Sequence, residues 1–467
     1  MTGLHDLDAR AQAEALRDGG LSARELAAHY ISRIDALDDG VGAFVEVTAA
    51  AALARAERLD GAPGSRGPLW GLPLADKDLV ARAGVPTRYG SRARRDHVPT
   101  RSDDLAAALD DAGAVSLGKT ATPEFGLTGY TETAFTPPTR DPWNPANGAG
   151  GSSGGAAAAV AAGLLPVAPA SDGGGSIRIP AATVGVVGLK PSRGRMPIGS
   201  GVDAFAGLAV TGPIARTVAD AAFFADALRT LRPHPFALTA PHPVELLPIA
   251  LAPAARMRVG VTTVSPWDDE EDISLEADAR RAVVVAAEML TGAHHGVEEL
   301  EWRPRGYPGM FRTLWRASAA RLPLTETELG IVEPITAWLV QEGRALSATQ
   351  LLDALAAAAV FERETIAAFS HVDAVLTPAL AQSPRPVGWF DGADAERNFT
   401  QQVQYAPYSS FVNVAGLPAL VVPVTRDATG HPVSVQLIGR PGGEAAIVAL
   451  AAELEDARGP LPHPPLW

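Results

Sequence analysis

The sequence predicts an α/β protein built around a largely parallel sheet, and three observations carry that prediction. Short apolar runs of strand character recur between residues 71 and 437, and helical patterns alternate with them. Glycine and proline clusters punctuate the chain between these runs. Hydrophobic residues make up 47% of the 467 positions and charged residues 20%, which is enough apolar side chain for a large core.

The N-terminal part, 1–65, reads as helices. Ser22-Ala-Arg-Glu25 is a capping box, in which serine and glutamate reciprocally satisfy free N–H groups of a first helical turn. Leu26, Tyr30, Ile31 and Ile34 follow at helical spacing, and a second helix is expected over 47–59. The apolar run 71–80 reads as a buried strand ending near Lys77. A helix over 104–112 and a strand over 114–117 come next. Residues 131–149 form a polar, proline-rich loop. The stretch 150–163 then reads as a helix with almost no side-chain bulk, so neighbouring backbones can approach it and it belongs at the centre. A strand over 164–168, a tight turn over 172–180 and a helix over 217–230 complete a catalytic-core segment, 66–232. Six prolines between Pro233 and Pro253 mark a surface crossing, 233–256. Strands resume at 257–262, 374–377, 419–423 and 433–437 in the C-terminal part, 257–467.

The charge balance narrows the functions open to such a protein. Lys and Arg number 39 against 53 Asp and Glu, a net charge of −14, which argues against binding nucleic acid or an anionic membrane. The absence of cysteine excludes disulfides, thiolate metal sites and a cysteine nucleophile. The first twenty residues lack the apolar core of a signal peptide, and no run of about 18 apolar residues could span a bilayer. A cytoplasmic protein is therefore expected.

Gly113-Ala-Val-Ser-Leu-Gly-Lys-Thr120 matches the phosphate-cradling loop of nucleotide hydrolases letter for letter. Its context does not fit. That loop needs a strand before its first glycine and a helix opening on the lysine, whereas here the four residues between the glycines are themselves the strand. Helix can begin only at Thr122-Pro-Glu, with Thr122 as cap and Pro123 in the first helical position. A nucleotide hydrolase is thus the remote alternative.

Two glycine-serine segments and one lysine carry the chemistry. Three glycines before Ser176 allow successive backbone N–H groups to converge, as an oxyanion requires, and the C-terminal end of a strand is where open α/β sheets place ligands. Read alone, the same residues also fit a turn whose serine caps a helix. Gly150-Gly-Ser152-Ser-Gly154 matches a nucleophile elbow, which needs a later acid and histidine. None of His234, His242, His294, His295, His371, His431 and His463 stands out for that role. Four of them, His234, His242, His431 and His463, sit in proline-rich or polar loop text, and the His294-His295 pair has no third metal ligand at helical spacing. Lys77 ends an apolar strand between Asp76 and Asp78. It can act as a base only when burial lowers its pKa from about 10.4 to roughly 7–8.

Taken together, Lys77, Gly150-Gly-Ser-Ser-Gly-Gly155 and Asp172-Gly-Gly-Gly-Ser-Ile-Arg-Ile-Pro180 resemble the amidase signature family of serine hydrolases. The spacing agrees too, with Ser152 75 residues after Lys77 and Ser176 24 residues after Ser152. Gly118-Lys-Thr-Ala-Thr-Pro-Glu-Phe125, Gly185-Val-Val-Gly-Leu-Lys-Pro191, Asp373-Ala-Val-Leu-Thr-Pro378 and Ala415-Gly-Leu-Pro-Ala-Leu-Val-Val-Pro423 look familial as well. The resemblance implies one domain over 1–467, a large twisted mixed sheet with helices on both faces. It implies hydrolysis of amide C–N bonds with no cofactor and no metal. Ser176 would be the nucleophile, Ser152 the bridge in a cis peptide with Gly151, and Lys77 the base and later the acid. The N–H groups of Gly173, Gly174, Gly175 and Ser176 would form the oxyanion hole, and Ser153, Asp172 and Arg178 would brace the two loops.

The variant Ala170-Ser-Asp-Gly-Gly-Gly-Ser176 looks like the branch that contains 6-aminohexanoate cyclic dimer hydrolase, with urethanase-type relatives nearby. The implied substrate is a small apolar, aryl or oligomeric amide, with carbamates and esters as further candidates, and the implied state a monomer or homodimer. Gly126, Thr128, Tyr130, Trp315, Trp389 and Phe390 are the expected substrate contacts. Trp302, Tyr307, Phe311, Trp338 and Tyr405 add to the aromatics of the divergent segment, 300–410, of which two or three should reach the substrate. Ala149 stands where proline often precedes the Gly-Gly-Ser-Ser run, and Pro137-Pro138 stiffen a loop that usually bears glycine. The competing reading is the glutamine-hydrolysing subunit of a tRNA-dependent amidotransferase. Against it, Ile179 occupies a position where that subunit is expected to carry glutamine.

Overall fold

Helix starts are set by side-chain caps. Ser22 Oγ accepts from the Glu25 N–H and the Glu25 carboxylate accepts from the Ser22 N–H, both at 3.1 Å, and the helix Ala23–Val41 runs on from this box. Thr217 caps Val218–Thr230 in the same way, its hydroxyl accepting from Asp220 N–H at 3.0 Å. The computed structural model describes residues 3–62, 66–197, 205–231, 240–241 and 244–467. His234, His242 and the other residues of 233–239 and 242–243 in the proline-rich crossing lie outside the described residues.

The strands, in chain order, are β1 (Phe44–Val47), β2 (Pro73–Lys77), β3 (Val115–Thr120), β4 (Arg140–Asp141), β5 (Asn144–Gly148), β6 (Val167–Asp172) and β7 (Val187–Lys190). They continue with β8 (Val210–Ala215), β9 (Arg258–Val261), β10 (Gly296–Glu299), β11 (Ala374–Pro378), β12 (Ala419–Arg426) and β13 (Pro432–Gly439). Eight of them form one sheet in the order β10-β9-β11-β13-β12-β7-β8-β6. Helices cover it, making a single α/β domain.

The sheet is mixed, as the family resemblance implied, and not largely parallel, as the strand–helix alternation suggested. Only β10–β9 and β9–β11 pair in parallel, while the five pairings from β11 to β6 are antiparallel. The physical reason is that a strand buried on both faces reads as the same apolar run in either direction. Direction depends on the connection, and the tight turn between β12 and β13 permits an antiparallel return.

Other boundaries moved for local reasons. Residues 44–47 are strand, so the second helix starts at Ala49 and runs to Asp60. The expected loop at 131–149 contains the β4–β5 hairpin. The strand expected at 164–168 is Val167–Asp172. Helix in the glycine-rich stretch is confined to Gly154–Ala161, every residue of which is buried. Gly155 shows why small residues stand there: a side chain on it would collide with the backbones of Ala43 and Ala121. Among the described residues no single helix is long and apolar enough to cross a membrane. The pair Pro334–Arg344 and Ala348–Phe369 reaches that composition only jointly, across a 102° bend.

The phosphate-loop reading fails structurally. Val115–Thr120 is strand through the second glycine, and Lys119 is buried with its ammonium on Val80 O and Thr87 Oγ1. The element that follows directly is a single 3-10 turn, Glu124–Gly126, with Pro123 at its cap rather than Thr122.

Candidate active site

Lys77 is the last residue of β2, a strand buried along its whole length, and is itself 2% exposed. Side chains alternate across a strand, so the flanking carboxylates face away from it. Asp76 accepts from Arg82 Nε at 2.6 Å, and Asp78 accepts from the Arg88 N–H and lies 3.8 Å from Lys119 Nζ. Lys77 Nζ instead lies 2.8 Å from Ser152 Oγ and 3.3 Å from Ser171 Oγ. Burial pushes the Lys77 ammonium down to about 7 against the opposing pull of the Asp172 charge.

Two other lysines are as buried, and their partners separate them from Lys77. Lys190 Nζ donates to the carbonyl oxygens of Pro191 and Leu417, at 3.0 and 2.7 Å, and Lys119 donates to that of Val80. A carbonyl can only accept, so it serves a charged ammonium. A hydroxyl can also donate to a neutral amine. Lys77 alone of the three rests on hydroxyls only.

The two glycine-serine segments meet beside this lysine. The Gly151–Ser152 peptide is cis, as the resemblance implied. Ser152 is buried at the start of the Gly154–Ala161 helix. Ser153 N–H donates to the Ser176 carbonyl at 3.2 Å and Ser153 Oγ donates to the Ser171 carbonyl at 3.3 Å. These bonds tie the segment to the end of β6 and make Ser153 a brace.

Asp172 ends β6 fully buried and organises the triple-glycine turn. Its carboxylate accepts from Gly175 N–H at 2.7 Å, Ile177 N–H at 3.1 Å, Arg178 Nε and Nη2 at 3.0 Å each, and Asn413 Nδ2 at 2.9 Å. Burial opposes its charge, but the Arg178 guanidinium overcomes that and holds the carboxyl well below the usual range. Arg178 is anchored in turn on Gln436 and Asn413, at 2.8 and 2.6 Å.

One expected oxyanion donor is lost to this network. The Gly175 N–H is committed to Asp172, because a buried carboxylate must have its lone pairs satisfied. Glycine is nonetheless required there: φ is +131°, and a β-carbon would lie 2.6 Å from Ser409 Oγ. The N–H groups of Gly173, Gly174 and Ser176 make no bond to protein among the described residues.

Ser176 and Gly174 open onto a cleft walled by Gly126 to Gly129, Ile179, Trp267, Phe311, Trp315, Phe399, Gln402, Val403, Tyr405, Ala406 and Ser410. No Asp, Glu, Lys, Arg or His lines it among the described residues. Of the expected contacts, Gly126, Thr128 and Trp315 line the cleft, whereas Tyr130, Trp389 and Phe390 do not. Tyr130 stacks on Phe390 with ring centres 4.2 Å apart, and Trp389 packs edge-on at 5.0 Å. These three aromatics pack on one another in a cluster that also holds Ile179 and Tyr405. Phe311, Trp315 and Tyr405 line the cleft, while Trp302 and Tyr307 are core.

Sequence reasoning missed Trp267, Phe399, Gln402 and Ser410. Trp267 stands between Pro266 and a run of acidic residues, an isolated aromatic that was itself a signal. Phe399 and Gln402 lie three residues apart on the helix Ala395–Tyr405, which a face-by-face reading would have paired.

No described histidine lines the cleft, so none of them supports the elbow reading. His431 lies in the loop between β12 and β13, as expected, and is buried there, with Nε2 2.8 Å from Asp141 and Nδ1 2.8 Å from the Pro432 carbonyl. His295 sits between the Met257 N–H and Glu453, at 3.1 and 2.6 Å.

The family model described as Amidase matches residues 25–448. A putative amidase, AmiB2, of Mycobacterium tuberculosis is 37% identical over 458 residues, covering 96% of both chains. The structure of 6-aminohexanoate cyclic dimer hydrolase complexed with substrate superposes with a TM-score of 0.90 at 28% identity, covering 99% of this chain and 100% of that one. A glutamyl-tRNA(Gln) amidotransferase subunit from a Synechococcus strain is 34% identical, covering 95% of this chain and 96% of its own.

Proposed function

The chain belongs to the amidase signature family, whose reaction is hydrolysis of amide C–N bonds, and on that premise we propose that it cleaves neutral, predominantly apolar amides through a serine acyl-enzyme. The observation that carries this reading is an uncharged, aromatic-lined cleft ending at Ser176. Ser176 Oγ attacks the amide carbon while its proton passes to Ser152 and the Ser152 proton passes to neutral Lys77. The carbonyl oxygen becomes an oxyanion facing the N–H groups of Gly173, Gly174 and Ser176. Each such donor is typically worth about 2.7–4 kcal/mol in the transition state. Collapse breaks the C–N bond, and Lys77 returns its proton through Ser152 to the leaving nitrogen. Water then attacks the ester by the same relay and releases the acid. Carbamates and esters present the same carbonyl and fall within this chemistry.

The amidotransferase relative supports a second reading, glutamine hydrolysis for a partner. Free glutamine carries an ammonium and a carboxylate, and among the described residues the cleft offers a counter-charge to neither. Burying either charge unpaired costs several kcal/mol. The purified chain should therefore prefer an apolar anilide to glutamine by about 100-fold or more in kcat/KM. Equal rates, or activity only in a complex, would favour the second reading.

The pH dependence tests the base. Lys77 must be neutral to accept a proton, and burial brings its ammonium down to about 7. The neutral fraction falls tenfold per unit below that value and saturates above it. The rate should therefore rise through pH 7 and level off, without a titrating histidine. A profile flat from about pH 6 to 9 contradicts a lysine base.

A further inference from the structure

The cleft holds a hydroxyl whose proton has no acceptor in the protein. Ser410 begins the short helix Ser410–Val414, is 7% exposed, and lines the cleft with Ser176 and Gly174. A serine hydroxyl has one proton to give and two lone pairs with which to accept. Both lone pairs face donors from the core side. Tyr307 donates its O–H to Ser410 Oγ at 2.8 Å, and the Trp267 indole N–H approaches at 3.4 Å, a longer contact. With the tyrosine proton lying between the two oxygens, the serine proton must point elsewhere. An indole nitrogen only donates. Tyr307 is fully buried, which pushes its phenol well above the ordinary value and keeps it an O–H donor. Among the described residues, the Ser410 hydroxyl donates to no protein atom.

Its position relative to the proposed oxyanion hole is close but distinct. A β-carbon built on Gly174 would lie 3.8 Å from Ser410 Cβ, so Ser410 stands one side-chain layer from the turn. The reacting oxygen already has three donors in Gly173, Gly174 and Ser176, one for each lone pair of a tetrahedral oxyanion. The leaving nitrogen must face the Ser152–Lys77 relay, and neither residue is part of the cleft wall, so the cleft receives the acyl part of the substrate. Around Ser410 that wall is apolar: Trp267, Phe311 and Phe399 carry no free donor toward it, and the Trp315 N–H is spent on the Leu127 carbonyl at 3.2 Å.

We propose that Ser410 is a specificity-determining hydrogen-bond donor to a second carbonyl oxygen in the acyl part of the substrate, so that the preferred substrates are neutral amides with a carbonyl set into an otherwise apolar acyl chain. The inference rests on the amidase reading above and refines it. A second carbonyl buried in this cleft without a partner would lose its solvation, whereas Ser410 meets it with a proton already turned away from the core.

The test uses the anilides of hexanoic acid and of 3-, 4- and 5-oxohexanoic acid on the whole protein. At least one oxo compound should exceed hexananilide by about tenfold in kcat/KM, the gain residing in KM, and the responding position reports the distance from the scissile bond. In Ser410→Ala the ratio between that compound and hexananilide should collapse to about one, whatever happens to the absolute rates. Ser410→Thr, which keeps the hydroxyl, should retain it. Ser410→Cys keeps the shape but offers only a weak S–H donor, and it repeats the comparison if the alanine variant loses its fold. No oxo preference in the wild type, or a preference that survives Ser410→Ala or Ser410→Cys, overturns the inference while hexananilide cleavage leaves the amidase reading standing. If hexananilide and every oxo compound are left intact, the amidase reading falls and this one with it.

Discussion

Ser176→Ala should lower amide turnover by about 10⁴-fold or more without unfolding the protein. The size follows from the role: the side chain supplies the atom that forms the acyl bond. Ser152 is hydrogen-bonded to Lys77 but is not part of the cleft wall. The fold should survive because Ser176 lies at the surface of the cleft, and its main chain, not its hydroxyl, ties the turn to Ser153. The check pairs turnover with fluorophosphonate labelling and peptide mapping. The wild type should carry the adduct on Ser176, Ser176→Ala should carry none, and Lys77→Ala should label far more slowly because no base remains to take the serine proton. An adduct on Ser152, or retained hydrolysis in Ser176→Ala, would refute the assignment.

Arg178→Ala should destabilise the protein by about 3–5 kcal/mol, the cost of leaving a buried charge without its partner. Asp172 is fully buried, and Arg178 gives it two hydrogen bonds at 3.0 Å while also reaching Gln436 and Asn413. Removing the guanidinium leaves a carboxylate that must either stay charged without its counter-ion or take up a proton. Protonation would weaken the bonds that hold Gly175 and Ile177 in the turn, so turnover should fall along with stability. Denaturant unfolding measures the loss directly. Adding Asp172→Asn should restore part of the stability, because the second change removes the orphaned charge. An Arg178→Ala protein as stable as wild type would mean that the pair contributes nothing to the turn.

The parts of the site legible in the sequence are those with short-range causes. A triple glycine before Ser176, a bulk-free run after Ser153 and a lysine closing a short apolar strand each impose a backbone geometry within a few residues. Their spacing then restricts how they can combine. The capping box at Ser22 and the strand ending at Lys77 were readable for the same reason. Even the failure of the phosphate-loop motif was readable, since the residues between its glycines favour strand over loop.

The tertiary structure decided everything that depends on which distant groups meet. Strand direction in the central sheet comes from its connections, not from apolar runs that look alike in either sense. Whether Gly175 can serve as an oxyanion donor depends on an aspartate that claims its N–H first. The cleft wall brings Trp267 against Ser410 across 143 residues of chain, while Tyr130, Trp389 and Phe390 turn toward one another. Hydrophobicity is non-directional, so a sequence shows that an aromatic will be buried but not against what. Thus local backbone constraint made the candidate residues legible in the sequence, their combined resemblance to a family implied the chemistry, and only long-range packing decided the cleft and its free donor.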